Sequence, residues 1–156
     1  MNHFRTMVLW LTIPVNLVLF TWVTFGRGLF GIMWLGWATV FMVVAADPVL
    51  LACTTLSTIL MFRQPGCPAR LTAAQAWLQL ACWVCLLLAG VAIMDSVDGE
   101  TYDGILLSLL GDTPGHHDLS ELIFAGCLLG WAVAWMAQLV LLIIGLVRKR
   151  RGMQHS

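Results

Sequence analysis

Charge is what this sequence has least of. Among 156 residues there are eight Lys or Arg and eight Asp or Glu, so 10% are charged and the formal net charge is zero. An average soluble domain carries roughly 25% charge, so a water-soluble globule of this size is excluded. Intrinsic disorder is excluded too, because it needs low hydrophobicity and high charge. A balanced charge also argues against a nucleic-acid binder. Histidine is missing from the long apolar runs, which excludes a haem held by two histidines within them. No Walker motif and no Ser-His-Asp set is apparent. Gly26-Arg27-Gly28-Leu29-Phe30-Gly31 spells G-x-G-x-x-G, but no strand precedes it, and it reads as a turn between helices.

What the chain has instead is apolar length. Hydrophobic residues make up 60% of it. A helix needs about 20 apolar residues to cross a hydrocarbon core of roughly 30 Å. Four stretches qualify, at about 6–25, 29–62, 71–94 and 119–147, within a single transmembrane domain over 1–156. The expected fold is an all-α membrane protein, a four-helix transmembrane bundle. Arg5 ahead of the first run resembles a secretory signal. The run is longer than a typical signal core and lacks a small-x-small cleavage site, so it is expected to be retained.

Basic residues collect on the cytoplasmic side of short loops. With both termini inside, Arg5, Arg63, Arg70, Arg148, Lys149, Arg150 and Arg151 are cytoplasmic and only Arg27 is outside. Seven of the eight acids lie between Asp95 and Glu121, in or beside the expected outer loop 95–118. The expected location is a bacterial inner membrane.

The second run is long enough to require tilt, projection or a break. Asp47-Pro48 at its middle is the pattern of an N-cap followed by a first helical residue, so this helix is expected to be kinked or broken there. Five spans, with the two halves crossing separately, is the alternative. Asp118-Leu119-Ser120-Glu121 fits a capping box at the start of the fourth helix. Arg63-Gln64-Pro65-Gly66-Cys67-Pro68 reads as a tight turn. The apolar segment 105–110 is too short to span and is expected at the interface or against a partner.

Helix packing in lipid favours small residues and hydrogen-bonding side chains. The fourth run carries Gly126, Gly130, Ala134, Ala137 or Gln138, and Gly145 as a stripe, with Trp131 and Trp135 opposite. The third carries Thr72, Gln75, Gln79, Cys82, Leu86 and Ala89 on one face. Asn16, Gln79 and Gln138 fall roughly 12–15 Å from the cytoplasmic ends of their helices, and Asp47 roughly 22 Å in. These four are expected to form one intramembrane polar cluster. It serves as helix glue or, with Asp47 titrating, as a proton or ion position.

Two other groups of residues suggest chemistry. Cys82-Trp83-Val84-Cys85 is a C-x-x-C, a possible redox pair. It falls mid-helix, where an i to i+3 disulfide is geometrically opposed, and no cysteine occurs in the outer loop to relay electrons. Buried cysteine acting as a small hydrophobe is the plainer reading. His116, His117 and Asp118 are weak metal-ligand candidates, equally legible as solvated helix punctuation, and no metal or cofactor is expected. The expected partners are lipid and other membrane subunits. The favoured function is a non-catalytic accessory or assembly subunit of a larger membrane complex. The alternatives are a small proton- or ion-coupled transporter using Asp47, and a thiol or quinone oxidoreductase using Cys82 and Cys85.

Overall fold

A computed structural model describes residues 2–30, 36–64, 71–97, 100–102, 104–111 and 113–153, with side chains left aside at 2, 95–97, 100–102 and 149–153. The expected turn at 65–68, with Cys67, lies outside the described residues, as do Arg70, Asp98 and Asp103.

Helix α1 (Asn2–Phe25) runs on into a 3-10 turn, Gly26–Phe30. Pro14 sits inside α1, where it removes one backbone donor. Helix α2 (Trp37–Phe41), a π-helical turn (Met42–Ala46) and helix α3 (Asp47–Phe62) follow each other without interruption and make the second span. Helix α4 is Ala73–Ala92. Strands β1 (Asp95–Val97) and β2 (Glu100–Tyr102) pair as a small antiparallel hairpin, Ser96 opposite Thr101, before the short helix α5 (Ile105–Leu110). Helix α6 (Pro114–Met153) closes the described chain. Among the described residues, four segments are long and apolar enough to cross a membrane: His3–Phe30, Trp37–Phe62, Ala73–Ala92 and Pro114–Arg148. The spans form an all-helical membrane bundle.

Several boundaries differ from those read in the sequence. Leu29 and Phe30 extend the first span rather than opening the second. The second helix is not broken at Asp47: Ala46 and Asp47 both hold right-handed helical angles. Pro48 has no N–H to give to a carbonyl one turn back, and the wider π turn immediately before it takes up that missing bond. Asp118 does not cap α6. That helix starts four residues earlier, at Pro114, with the Thr113 carbonyl accepting from the His116 and His117 N–H groups. The capping box that does form belongs to α4. The Thr72 hydroxyl accepts the Gln75 N–H at 3.2 Å, and the Gln75 side chain accepts the Thr72 N–H at 2.8 Å.

Helix α4 is the middle of the bundle, packed most broadly against α6 and next against α1. The second span touches α1 and α6 more lightly. The faces are sorted as lipid demands. On α6, Ser120, Trp131, Ala134, Gln138 and Leu142 are buried, while Leu122, Leu129, Val133 and Val140 are more than half exposed. The long loop folds back on the bundle end, with Ile105 and Leu107 of α5 almost fully buried. An added Cβ on Gly104 would strike the Ile93 carbonyl, so only glycine lets the loop approach that closely.

Candidate functional site

The polar side chains inside the bundle lie in three layers. At the end bearing Arg63 and Arg148, Gln64 donates to the Leu142 carbonyl at 3.0 Å and Gln75 to the Leu141 carbonyl at 3.1 Å. Gly145 makes room for the Gln64 side chain, whose oxygen occupies the place a Cβ would take. Carbonyls of an intact helix thus serve a second time as acceptors, and both glutamines are buried.

The middle layer joins all four spans. The Trp83 indole N–H donates to Asn16 Oδ1 at 2.9 Å, linking α4 to α1. Gln138 Nε2 donates to Gln79 Oε1 at 2.8 Å, linking α6 to α4, and the Cys82 thiol lies 3.9 Å from Gln138 Oε1. Trp135 donates to Ser57 Oγ at 2.8 Å and also to the Cys53 carbonyl at 3.2 Å, linking α6 to α3. The Trp131 and Trp135 rings stack at 6.0 Å and 10°. They face α3 and the interior. Between these groups lies a void of about 10 Å³, close to the volume that one water needs.

The third layer lies toward the long loop and holds the charges. The Thr24 hydroxyl donates to Asp47 Oδ2 at 2.9 Å, while Asp47 Oδ1 is buried with no hydrogen-bond partner among the described residues. Arg27 is 1% exposed, and its Nη2 donates to Thr39 Oγ1. Asp47 therefore stands apart from Asn16, Gln79 and Gln138, which the structure brings together without it. Arg27 does lie in a turn between helices, as its two flanking glycines imply, but its side chain is buried against the second span rather than left outside the bundle. The 3-10 turn carries Arg27 around the end of α1 and into contact with the second span. A buried arginine in a span commonly marks a working position with a specific partner, and here the pairs Thr24–Asp47 and Arg27–Thr39 both tie the first span to the second.

The remaining sequence candidates are placed as follows. A Cβ on Gly130 would sit 3.3 Å from Cys85 Sγ, a tight approach of α6 to α4. Gly126 is exposed, with nothing within 4 Å of its would-be Cβ, so the G-x-x-x-G makes one contact rather than two. One helical turn beyond Gly130, Ala134 is 9% exposed. Cys82 and Cys85 are free thiols, as are Cys53 and Cys127. His116 Nδ1 is hydrogen-bonded to the Gly111 carbonyl at 2.8 Å, and no group of three metal-ligating side chains occurs among the described residues.

One larger space lies outside these layers. A cavity of about 670 Å³ opens between the second span, α4 and α6 in the half of the bundle nearest the long loop. Its walls include Phe41, Val49, Leu86, Ile93, Phe124 and Trp131, and Glu121 is the one ionisable residue among those lining it. Asp47 does not line it. Sequence reading missed this space and the residues Thr24, Arg27, Thr39 and Gln64 as bonding partners, while Gln75 stood on the packing face already read for the third run. The one available signal was Thr72-Ala73-Ala74-Gln75, which spells a capping box at a helix start. No family model, curated protein or solved structure matches the chain.

Proposed function

We propose that the chain is a non-catalytic accessory or assembly subunit of a larger bacterial inner-membrane complex, with both termini cytoplasmic. The observation that carries this reading is the use made of the polar groups in the spans. Gln138 bonds Gln79, Trp83 bonds Asn16, Trp135 bonds Ser57 and Gln64 bonds the Leu142 carbonyl. Each bond joins two helices at a fixed depth, which supports a rigid scaffold presenting its apolar faces to neighbours. The wide turn at Met42–Ala46 lets the second span bend near Asp47-Pro48 to fit the membrane, since 26 helical residues are about 39 Å long.

The test is isolation in mild detergent through an affinity tag, followed by a second separation on a native gel. The expected result is a stoichiometric assembly with other integral membrane subunits that survives both steps. A monodisperse single chain would overturn the reading. Orientation is tested by a membrane-impermeant maleimide on intact cells in a Cys67→Ser background. Ser108→Cys should label from outside and Ser156→Cys only after lysis, and the reverse pattern would sink the assigned topology.

A further inference from the structure

We propose that the cavity between the second span, α4 and α6 is a binding site for a phospholipid with an ammonium-bearing headgroup, one acyl chain lying in the cavity and the ammonium facing Glu121. This site is additional to the scaffold role and does not depend on it. Three observations lead to it.

The first is chemistry. The walls are formed by aliphatic and aromatic side chains, so the ligand is apolar over most of its length. A cavity of about 670 Å³ falls within the roughly 300–1,000 Å³ of ordinary ligand sites. The exposed residues Phe41, Ala45 and Val49 at its rim belong to the lipid-facing side of the second span, so entry is lateral.

The second is depth. Glu121 marks the end near the long loop and Trp131 the deep end. Ten helical residues separate them, about 15 Å along α6. That is half of a hydrocarbon core of roughly 30 Å, the reach of an acyl chain from one leaflet. A partner helix fits poorly. A cylinder 10–12 Å across takes roughly 400–600 Å³ per turn, so the space would accept about one turn of a span that needs about 20 residues.

The third is charge. Glu121 is exposed at the loop end of the cavity and is its one ionisable lining residue. With no basic residue among those lining the site, a carboxylate there favours a zwitterionic headgroup that brings an ammonium over one that carries only the phosphate's negative charge.

The experiment uses the purified chain in nanodiscs containing equal amounts of phosphatidylethanolamine and phosphatidylglycerol, with retained lipid read by native mass spectrometry. The expected result is one retained phosphatidylethanolamine per chain, favoured about fivefold over phosphatidylglycerol. Glu121→Gln, an isosteric change at an exposed position, should still retain lipid but lose the preference. Ala45→Trp, which fills the cavity from its exposed rim, should retain none while keeping the helical circular dichroism of the wild type. The proposal is overturned if the wild type retains no lipid, if Glu121→Gln keeps the preference, or if Ala45→Trp retains lipid as the wild type does. It is equally overturned if the bound mass is a second polypeptide that Ala45→Trp removes.

Discussion

The indole of Trp22 lies in the space left by Gly90. A Cβ on Gly90 would run into the indole nitrogen, and that same N–H donates to the Leu87 carbonyl at 3.0 Å. One glycine on α4 therefore fixes both the distance and the rotation of α1. Gly90→Ala should cost about 1–3 kcal/mol, the usual range for overpacking. Trp22→Ala should cost stability on its own account. In the double variant the Gly90 penalty should largely vanish, because the clashing ring is gone. Reversible unfolding in mixed micelles, followed by tryptophan fluorescence, checks this. Additive losses would show that the two residues do not share the contact.

Gly126 and Gly130 of α6 should respond differently. Gly130→Leu drives side-chain atoms into Cys85, whereas Gly126→Leu meets open surroundings. The expected outcome is a loss of about 1–3 kcal/mol for Gly130→Leu and a change within about 0.5 kcal/mol for Gly126→Leu. The same unfolding measurement decides it, and equal effects would contradict the packing described for α6.

Gln79 and Gln138 are a pair for which a double-mutant cycle is informative. Hydrogen bonds between membrane helices average about 0.6 kcal/mol and reach about 1.7. A cycle built from Gln79→Leu and Gln138→Leu should give a coupling energy within that range. Zero coupling would mean that each amide finds another partner when its neighbour is removed.

Asp47 distinguishes a structural carboxyl from a working one. Asp47→Asn keeps an oxygen to accept the Thr24 hydroxyl and should leave stability nearly unchanged. Asp47→Leu removes that acceptor from a medium that supplies no water, at a cost of about 1 kcal/mol or more. Proton uptake by proteoliposomes of the Asp47→Asn chain should equal that of the wild type. A well-folded Asp47→Asn protein that loses a pH-dependent flux would promote transport over scaffolding.

The spans were legible because lipid imposes a length and a composition that few other environments share. The middle polar layer was largely legible too, since Asn16, Gln79 and Gln138 stand at similar depth in apolar runs. Arg27 was not. Between two glycines it looks like a loop residue, and only the continued turn after Phe25 brings it back against Thr39. Asp47 was drawn to the wrong neighbours although its depth, roughly 22 Å against 12–15 Å for the other three, already set it in a different layer, where it meets Thr24. The start of α6 was misplaced for a related reason: Asp118 and Glu121 have capping spacing, but Thr113-Pro114 starts the helix earlier. The cavity at Glu121 had no signature, because a space is defined by helices that diverge, and divergence is not written in hydropathy.

The π turn at Met42–Ala46 makes the second span a helix with one residue to spare. Each residue of an α-helix advances about 100°, so the turn resets the azimuth of everything before it relative to everything after. Thr39 reaches Arg27, and Asp47 reaches Thr24, on the two sides of that reset. Deleting Val44, which is exposed, removes that spare residue and should leave a uniform α-helix with Thr39 and Asp47 on their present azimuths. Deleting the exposed Val43 as well should swing Thr39 about 100° away from Arg27, and re-inserting one alanine there should restore the lost stability, although the new side chain contributes almost no contact of its own. The phase of the chain at this point, more than the identity of any side chain, would then be what holds the first two spans in register.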